Sequence, residues 1–129
     1  MNDKNMVLQD TILVVDDDPE LRGVLKEALT DASFEVEVAE NGETGLVKAF
    51  EVKPNLILLD LVMPVMDGWE FLEKLHQNDW GKTAQVIILT NADDIDSLSR
   101  AIEGRGYEYL VKTDWKIGEV VERVRDRLT

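Results

Sequence analysis

Five side chains that could act together on a phosphoryl group stand at or just beyond the ends of apolar segments of the sequence. Asp16 and Asp17 follow one such segment, Asp60 ends a second, Thr90 ends a third and Lys112 ends a fourth. A carboxylate can act as a nucleophile, and neighbouring carboxylates can hold a hard cation such as Mg²⁺. An ammonium and a hydroxyl can donate to phosphoryl oxygens. This combination predicts phosphoryl transfer to a carboxylate.

Each of the five groups has a predicted role. Three crowded carboxylates repel one another by a few kcal/mol per pair at an effective dielectric near 20, so a cation must lie among them. Mg²⁺ suits the position because proteins usually hold it through one or two carboxylates plus phosphate oxygens. We expect Asp60 to attack phosphorus, Asp17 to ligate the metal directly and Asp16 to hold it directly or through water. Lys112 and Thr90 are expected to donate to phosphoryl oxygens.

The elements that must position these groups are five predicted strands. Most are unbroken apolar runs, which are typical of strands buried on both faces of a parallel sheet. One alternates polar and apolar residues, as an edge strand with a solvated face would. In chain order the predicted strands cover residues 11–15, 35–39, 55–60, 85–90 and 107–112.

A helix is predicted after each strand from apolar residues at helical spacing. Asp18 is expected to cap the first helix, which Pro19 opens, and Asn41-Gly42 leads into the second. The alternation predicts an α/β fold, a doubly wound five-stranded parallel sheet with five helices on its two faces. Right-handed crossovers bring the carboxyl ends of the strands to one edge, where the five groups would meet. The apolar positions in the successive helices are Leu21, Val24, Leu25, Ala28 and Leu29; Leu46, Val47 and Phe50; Phe71, Leu72 and Leu75; Ile95, Leu98 and Ile102; Ile117, Val120, Val121, Val124 and Leu128.

Composition excludes several classes of function. The chain has 129 residues, which suits one domain, with residues 1–9 as an N-terminal extension. It lacks cysteine and has a single histidine, so disulfides and thiol chemistry are excluded and a zinc site would need carboxylates. The net charge of −13 disfavours direct nucleic-acid binding. No membrane span or signal peptide is recognisable, so we expect a cytoplasmic location without membrane contact.

Four ordered motifs, VVDDDPELR, LLDLVMPVMDG, ILTNA and YEYLVK, resemble those of the receiver domain of two-component response regulators. The resemblance extends from about Thr11 to Leu128. It implies a flavodoxin-like sheet with strand order 2-1-3-4-5, an order for which a receiver is one of the standard examples. It also implies that residues 1–129 form a single receiver domain of the stand-alone, chemotaxis-receiver type.

The resemblance assigns further roles. Asp60 corresponds to the phospho-acceptor, Asp16 and Asp17 to the acid pair, and the carbonyl of Val62 to a main-chain Mg²⁺ ligand. Thr90 and Tyr109 correspond to the switch pair, and Lys112 to the active-site lysine. The implied phosphodonor is a histidine kinase or a histidine phosphotransfer protein, as in a phosphorelay. A downstream protein partner is expected to receive the signal, because no output segment follows Thr129, and phosphorylation-dependent homodimerisation is left open.

The sequence departs from the family pattern around the site. Thr113 follows Lys112 where receivers usually have proline, and we expect a trans peptide there because a cis bond before a non-proline residue costs about 2.5–4 kcal/mol. Asn91 follows Thr90 where a small residue is common. Val62 and Ala92 occupy the two positions that tune dephosphorylation in receivers, and neither side chain can orient a water. We therefore expect slow hydrolysis of the aspartyl phosphate.

Two alternatives belong to other functional classes. One is a phosphatase or phosphotransferase that passes through an aspartyl phosphate; the sequence lacks the Asp-x-Asp-x-Thr pattern and the inserted cap of such enzymes. The other is a receiver-like scaffold that binds partners without phosphorylation, against which stands the full set of five groups. We therefore expect no enzymatic activity beyond the protein's own phosphorylation and dephosphorylation.

Overall fold

The computed structural model describes residues 9–91, 108–112 and 115–129. None of the helices in these segments has the length and apolar character needed to cross a bilayer. The predicted helix with Ile95, Leu98 and Ile102 lies outside the described residues. The strands are β1 (Thr11–Val15), β2 (Glu35–Ala39), β3 (Leu56–Asp60), β4 (Gln85–Thr90) and β5 (Glu108–Val111), and the helices are α1 (Pro19–Asp31), α2 (Gly42–Val52), α3 (Gly68–His76) and α4 (Ile117–Leu128), with a short 3₁₀ turn at Gly81–Thr83.

The strands form one parallel sheet in the order β2-β1-β3-β4-β5, which confirms the predicted topology. Val15 of β1 is in register with Leu59 of β3, and Asp60 is in register with Leu89 of β4. Thr90, one residue further along β4, is in register with Val111 of β5. The predicted site residues therefore leave neighbouring strands at nearly the same level of the sheet.

Helices cover both faces of the sheet, as predicted for a doubly wound fold. The central strand β3 is buried along its whole length. Its alternate side chains pack into two separate cores, because successive residues of a strand point to opposite faces. One core joins the sheet to α2 and α3 through Ala49, Phe71 and Leu75, among others. The other joins it to α1 and α4 through side chains that include Leu25, Leu29, Val120 and Val124.

Side-chain caps fix where the first three helices begin. The Asp18 carboxylate accepts from the backbone N–H groups of Glu20 and Leu21, which confirms its predicted capping role. Asn41 caps α2 and Asp67 caps α3 in the same manner. Each cap satisfies a backbone donor that the helix leaves unpaired and stabilises the helix by about 1 kcal/mol. The loops that enter the helices from the site edge are thereby held in place.

Two of the apolar helix positions named from the sequence lie outside the core. Val24 in α1 is 44% exposed and Val47 in α2 is 61% exposed. In α2 the residues that approach the sheet are Gly45 and Ala49: Ala49 is fully buried, and a Cβ on Gly45 would lie 2.9 Å from the Val15 side chain. This close approach turns Val47, two residues from each, away from the sheet.

Candidate functional site

The ammonium of Lys112 joins the ends of three strands. Its Nζ lies 2.9 Å from Oδ2 of Asp16 and 3.3 Å from Oδ2 of Asp60. The side chain of Lys112 is 17% exposed, whereas Asp16 and Asp60 are almost completely buried. Acids at the ends of β1 and β3 thus share one cation that follows β5. The structure brings these predicted groups together, while their chemical roles stay predictions.

Asp17 completes a three-carboxylate cluster. Asp16, Asp17 and Asp60 each offer one oxygen, and the three oxygens lie within 4.8 Å of one another. Asp17 is exposed, so the cluster is open to solvent on its side. Carboxylate oxygens are the ligands preferred by hard cations such as Mg²⁺, which often keep several bound waters. The donor set and its open side therefore fit a divalent metal site.

Three carboxylates and one ammonium give the site a surplus of acidic groups. Burial and the negative charge of Asp16 raise the pKa of Asp60 to about 7, although Lys112 and the Val62 N–H act in the opposite direction. For Lys112, burial alone would lower the pKa, but the hydrogen bond and charge of Asp16, followed by those of Asp60, outweigh it and raise the pKa above its usual value. A neutral carboxyl at Asp60 is a poor nucleophile. Additional positive charge would favour the reactive carboxylate.

Backbone packing at the end of β3 holds Asp60 in place. Its Oδ1 accepts a hydrogen bond of 3.3 Å from the N–H of Val62, whose own side chain is 59% exposed. The chain then returns to the strand end, where the N–H of Gly68 donates to the Leu61 carbonyl at 2.9 Å. A Cβ at Gly68 would lie 2.6 Å from the Asp60 carbonyl oxygen, so only glycine fits there without a shift.

The predicted switch residues lie on the two neighbouring strands. Thr90 is buried, and its hydroxyl donates to the Asn91 carbonyl at 3.2 Å. The Lys112 N–H donates to the Thr90 carbonyl at 2.7 Å, which links the two residues through the backbone. Tyr109 is half-buried in β5 and packs against the core shared with α2 and α3. Two positions discussed above lie outside the described residues. They are Ala92, one of the positions that tune dephosphorylation, and Thr113, which stands where receivers usually have proline.

Two contacts at the site were missed from the sequence. Nη1 of Arg22 donates to the backbone carbonyl of Asp16 at 2.7 Å. The carbonyl of Met66, in the loop after Asp60, accepts from the Gly42 N–H at 3.1 Å. The one sequence signal for the first contact was a cationic residue in the first turn and a half of the helix that follows the acids. The second depends on how α2 and the loop pack, which no local pattern reveals.

Comparison with known proteins places the chain in a family. The sequence model of the response regulator receiver domain family matches residues 12–125 of this chain. The transcriptional activator protein IrlR of Burkholderia pseudomallei is 36% identical over 117 residues, which cover 91% of this chain and 49% of that protein. The transcriptional regulatory protein HprR of Escherichia coli is 32% identical over 117 residues, 91% of this chain and 51% of that protein. The chain thus spans about half the length of these curated relatives.

Solved structures show the same fold. Response regulator protein TrrA of Thermotoga maritima, in complex with Mg²⁺-BeF, is 35% identical with a TM-score of 0.77, over 92% of this chain and 99% of that one. A CheY-like response regulator receiver domain protein of Methanospirillum hungatei is 27% identical with a TM-score of 0.82, over 94% of each chain. The chain therefore belongs to the response regulator receiver domain family. Receiver domains are signal-transduction domains, and the flavodoxin-like class inferred from the sequence is confirmed.

Proposed function

We propose that Asp60 accepts a phosphoryl group from a phosphohistidine of a histidine kinase or a histidine phosphotransfer protein, and that the new charge switches the domain's conformation. The observation that supports this most is the pairing of Lys112 with both Asp16 and Asp60 beside Asp17. A cation in contact with the acceptor and an acid cluster next to it are what phosphoryl transfer to a carboxylate needs. Protein groups chiefly position the reactants and stabilise charge in such reactions.

In the proposed reaction, an oxygen of Asp60 forms a bond to phosphorus while the bond between phosphorus and the donor's imidazole nitrogen breaks. The bonding pair stays with that nitrogen. Asp16, Asp17 and Asp60 would hold Mg²⁺, with the Val62 carbonyl as a further ligand suggested by the resemblance. The bound ion would neutralise phosphoryl oxygens and favour the ionised form of Asp60. Lys112, already 3.3 Å from Oδ2 of Asp60, would pair with a phosphoryl oxygen.

Thr90 and Tyr109 would carry the change away from the site. The Thr90 hydroxyl now donates to a backbone carbonyl, and a phosphoryl oxygen offers it a charged acceptor, which makes a stronger hydrogen bond. Movement of Thr90 towards the phosphoryl group would change the space beside β5, where Tyr109 is half-buried. A two-state element biased by a local charge is the general form of such switches.

We further propose a protein as the direct recipient of the signal. The net charge of −13 disfavours direct contact with a nucleic-acid backbone. Residues 1–129 would form one receiver domain, with residues 1–9 as an N-terminal extension, and would act in the cytoplasm. Its chemistry would be limited to its own phosphorylation and dephosphorylation, and the surface altered by Tyr109 is where a partner would read the state.

The test is intact mass measurement after incubation with Mg²⁺ and a small acyl phosphate. We expect one added phosphoryl group, retained in an Asp31→Asn control and absent from Asp60→Asn. Asp31 is a suitable control because it is an exposed aspartate at the far end of α1. Continuous turnover of the donor without an adduct would instead support an enzyme. The absence of both adduct and turnover would support a scaffold and refute the proposal.

A further inference from the structure

Arg22 contacts the acid cluster through the backbone. Nη1 donates to the Asp16 carbonyl at 2.7 Å from a partly buried position. In the described part of the chain Arg22 forms no ion pair. Its contribution to the site therefore comes through this bond to a main-chain oxygen.

The Asp16 carbonyl belongs to the peptide unit that joins two of the clustered acids. A peptide unit is planar, so the position of its oxygen fixes the orientation of the bonds to both flanking Cα atoms. The other side of Asp16 is also held: its N–H donates to the Ala39 carbonyl at 3.1 Å, and its Oδ1 accepts from the Asp18 N–H at 2.9 Å. Lys112 holds its Oδ2 at 2.9 Å, and the Arg22 bond restrains the peptide itself. Rotation of this peptide would re-aim the side chains of Asp16 and Asp17 together.

Lys48 offers a natural comparison. Its Nζ donates to the Val38 carbonyl at 2.7 Å, the same length as the Arg22 bond. Both side chains line one surface cavity of about 310 Å³, and both are partly buried. Lys48, however, restrains a peptide of β2 that carries neither acid. Loss of either cation removes a charge and one bond to a main-chain oxygen. Loss of Lys48 also removes its 3.7 Å ion pair with Glu37, and only the loss of Arg22 releases the peptide between the acids.

We propose that Arg22 is a positioning residue that sets the affinity of the Asp16, Asp17 and Asp60 cluster for a divalent cation, by holding the peptide between Asp16 and Asp17. The inference rests on the proposed function only for the assumption that the cluster binds Mg²⁺. Groups that orient metal ligands without touching the metal commonly change metal affinity 10- to 100-fold when they are removed. A single bond to the main chain should be near the lower end of that range.

The test compares Arg22→Met with Lys48→Met. Methionine keeps much of each apolar stem and removes the charge and donor. We expect calorimetric titration with Mg²⁺ to give a dissociation constant raised about tenfold in Arg22→Met and changed less than about twofold in Lys48→Met. In acyl phosphate reactions, the Mg²⁺ concentration for half-maximal rate should rise by the same factor, while the rate at saturating Mg²⁺ stays within about threefold of wild type.

The Mg²⁺ affinities of the wild type and the two variants distinguish an error about Arg22 from an error about the metal site. Equal Mg²⁺ affinity in the two variants, whatever their stability to urea in EDTA, would overturn the role of Arg22 and leave the proposed function intact. Failure of the wild-type protein to bind Mg²⁺ would refute the metal site itself. If Arg22→Met does not fold, Arg22→Gln takes its place, because glutamine is too short to reach the carbonyl but keeps a polar group. The same tenfold loss is expected there, and an affinity equal to that of Lys48→Met would refute the proposal.

Discussion

Replacement of Asp60 by asparagine should stabilise the metal-free protein, and more so as the pH rises. Burial, together with the charge of Asp16, raises the pKa of Asp60 from 3.8 to about 7. The folded protein therefore binds a proton more tightly than the unfolded chain does. Between about pH 4 and pH 7 the free energy of unfolding of the wild type falls as the pH rises, because the folded state must release that proton or keep it at a growing cost.

The size of the effect follows from the shift in pKa. One pKa unit corresponds to about 1.4 kcal/mol, so the ceiling is about 4 kcal/mol at pH 8. Relaxation and water penetration reduce such burial penalties, and we expect about 2 kcal/mol. Asparagine has nearly the same shape and no charge, and Lys112 keeps its 2.9 Å pair with Asp16 in the variant. At pH 5, only about 1.2 units above the ordinary pKa of 3.8, the same cost is about 1.6 kcal/mol before that reduction, so the gain should fall below about 1 kcal/mol.

Urea unfolding in EDTA at pH 5 and pH 8 measures the difference. Asp31→Asn is the matched control: this exposed residue should change the free energy of unfolding by less than about 0.5 kcal/mol at both pH values. An Asp60→Asn protein that is no more stable than wild type at pH 8 would refute the reasoning. A gain of equal size at pH 5 and pH 8 would show that the charge of Asp60 is not its cause.

Three further predictions concern the same edge of the sheet. Mg²⁺ at ten times its dissociation constant should raise the free energy of unfolding of the wild type by about 1.4 kcal/mol and that of Asp60→Asn by much less, as measured by urea unfolding with and without EDTA. Val62→Asn should shorten the lifetime of the aspartyl phosphate, followed by intact mass after donor removal; a wild-type lifetime of seconds that this change leaves unaltered would contradict the expectation of slow hydrolysis. Gly68→Ala should destabilise the fold by about 2 kcal/mol, because its Cβ would lie 2.6 Å from the Asp60 carbonyl oxygen, whereas Gly23→Ala, in open space on α1, should stabilise it by about 0.5–1 kcal/mol. Thermal unfolding that ranks these two glycine variants in the opposite order would show that the packing at Gly68 is misjudged.

The strands and the meeting of the acids with Lys112 could be predicted because they depend on local pattern and general topology. An unbroken apolar run such as the one ending at Asp60 has few stable positions except the centre of a parallel sheet. Once the crossovers are right-handed, the carboxyl ends of the strands must share an edge. The capping role of Asp18 was predictable for the same reason, since a capping bond involves only neighbouring residues.

Helix faces were harder to predict because periodicity gives the spacing of apolar residues and not the side that meets the sheet. In α2 the small residues Gly45 and Ala49 allow close packing on β1, and Val47 is therefore exposed. The tether from Gly42 to Met66 joins residues 24 positions apart in loops whose sequences show no pairing signal. Such contacts depend on how the layers pack.

The sequence by itself determined the kind of sheet, the order of its chemical groups along the chain and, through its motifs, the family. Only the tertiary structure decided how the charges are balanced. Lys112 lies between Asp16 and Asp60, Asp17 remains open to solvent, and Arg22 holds the peptide between the two acids of the first loop. The physical reason is that pKa values and metal affinity depend on distances of a few ångströms and on burial, and residues far apart in the chain acquire both only when the layers pack.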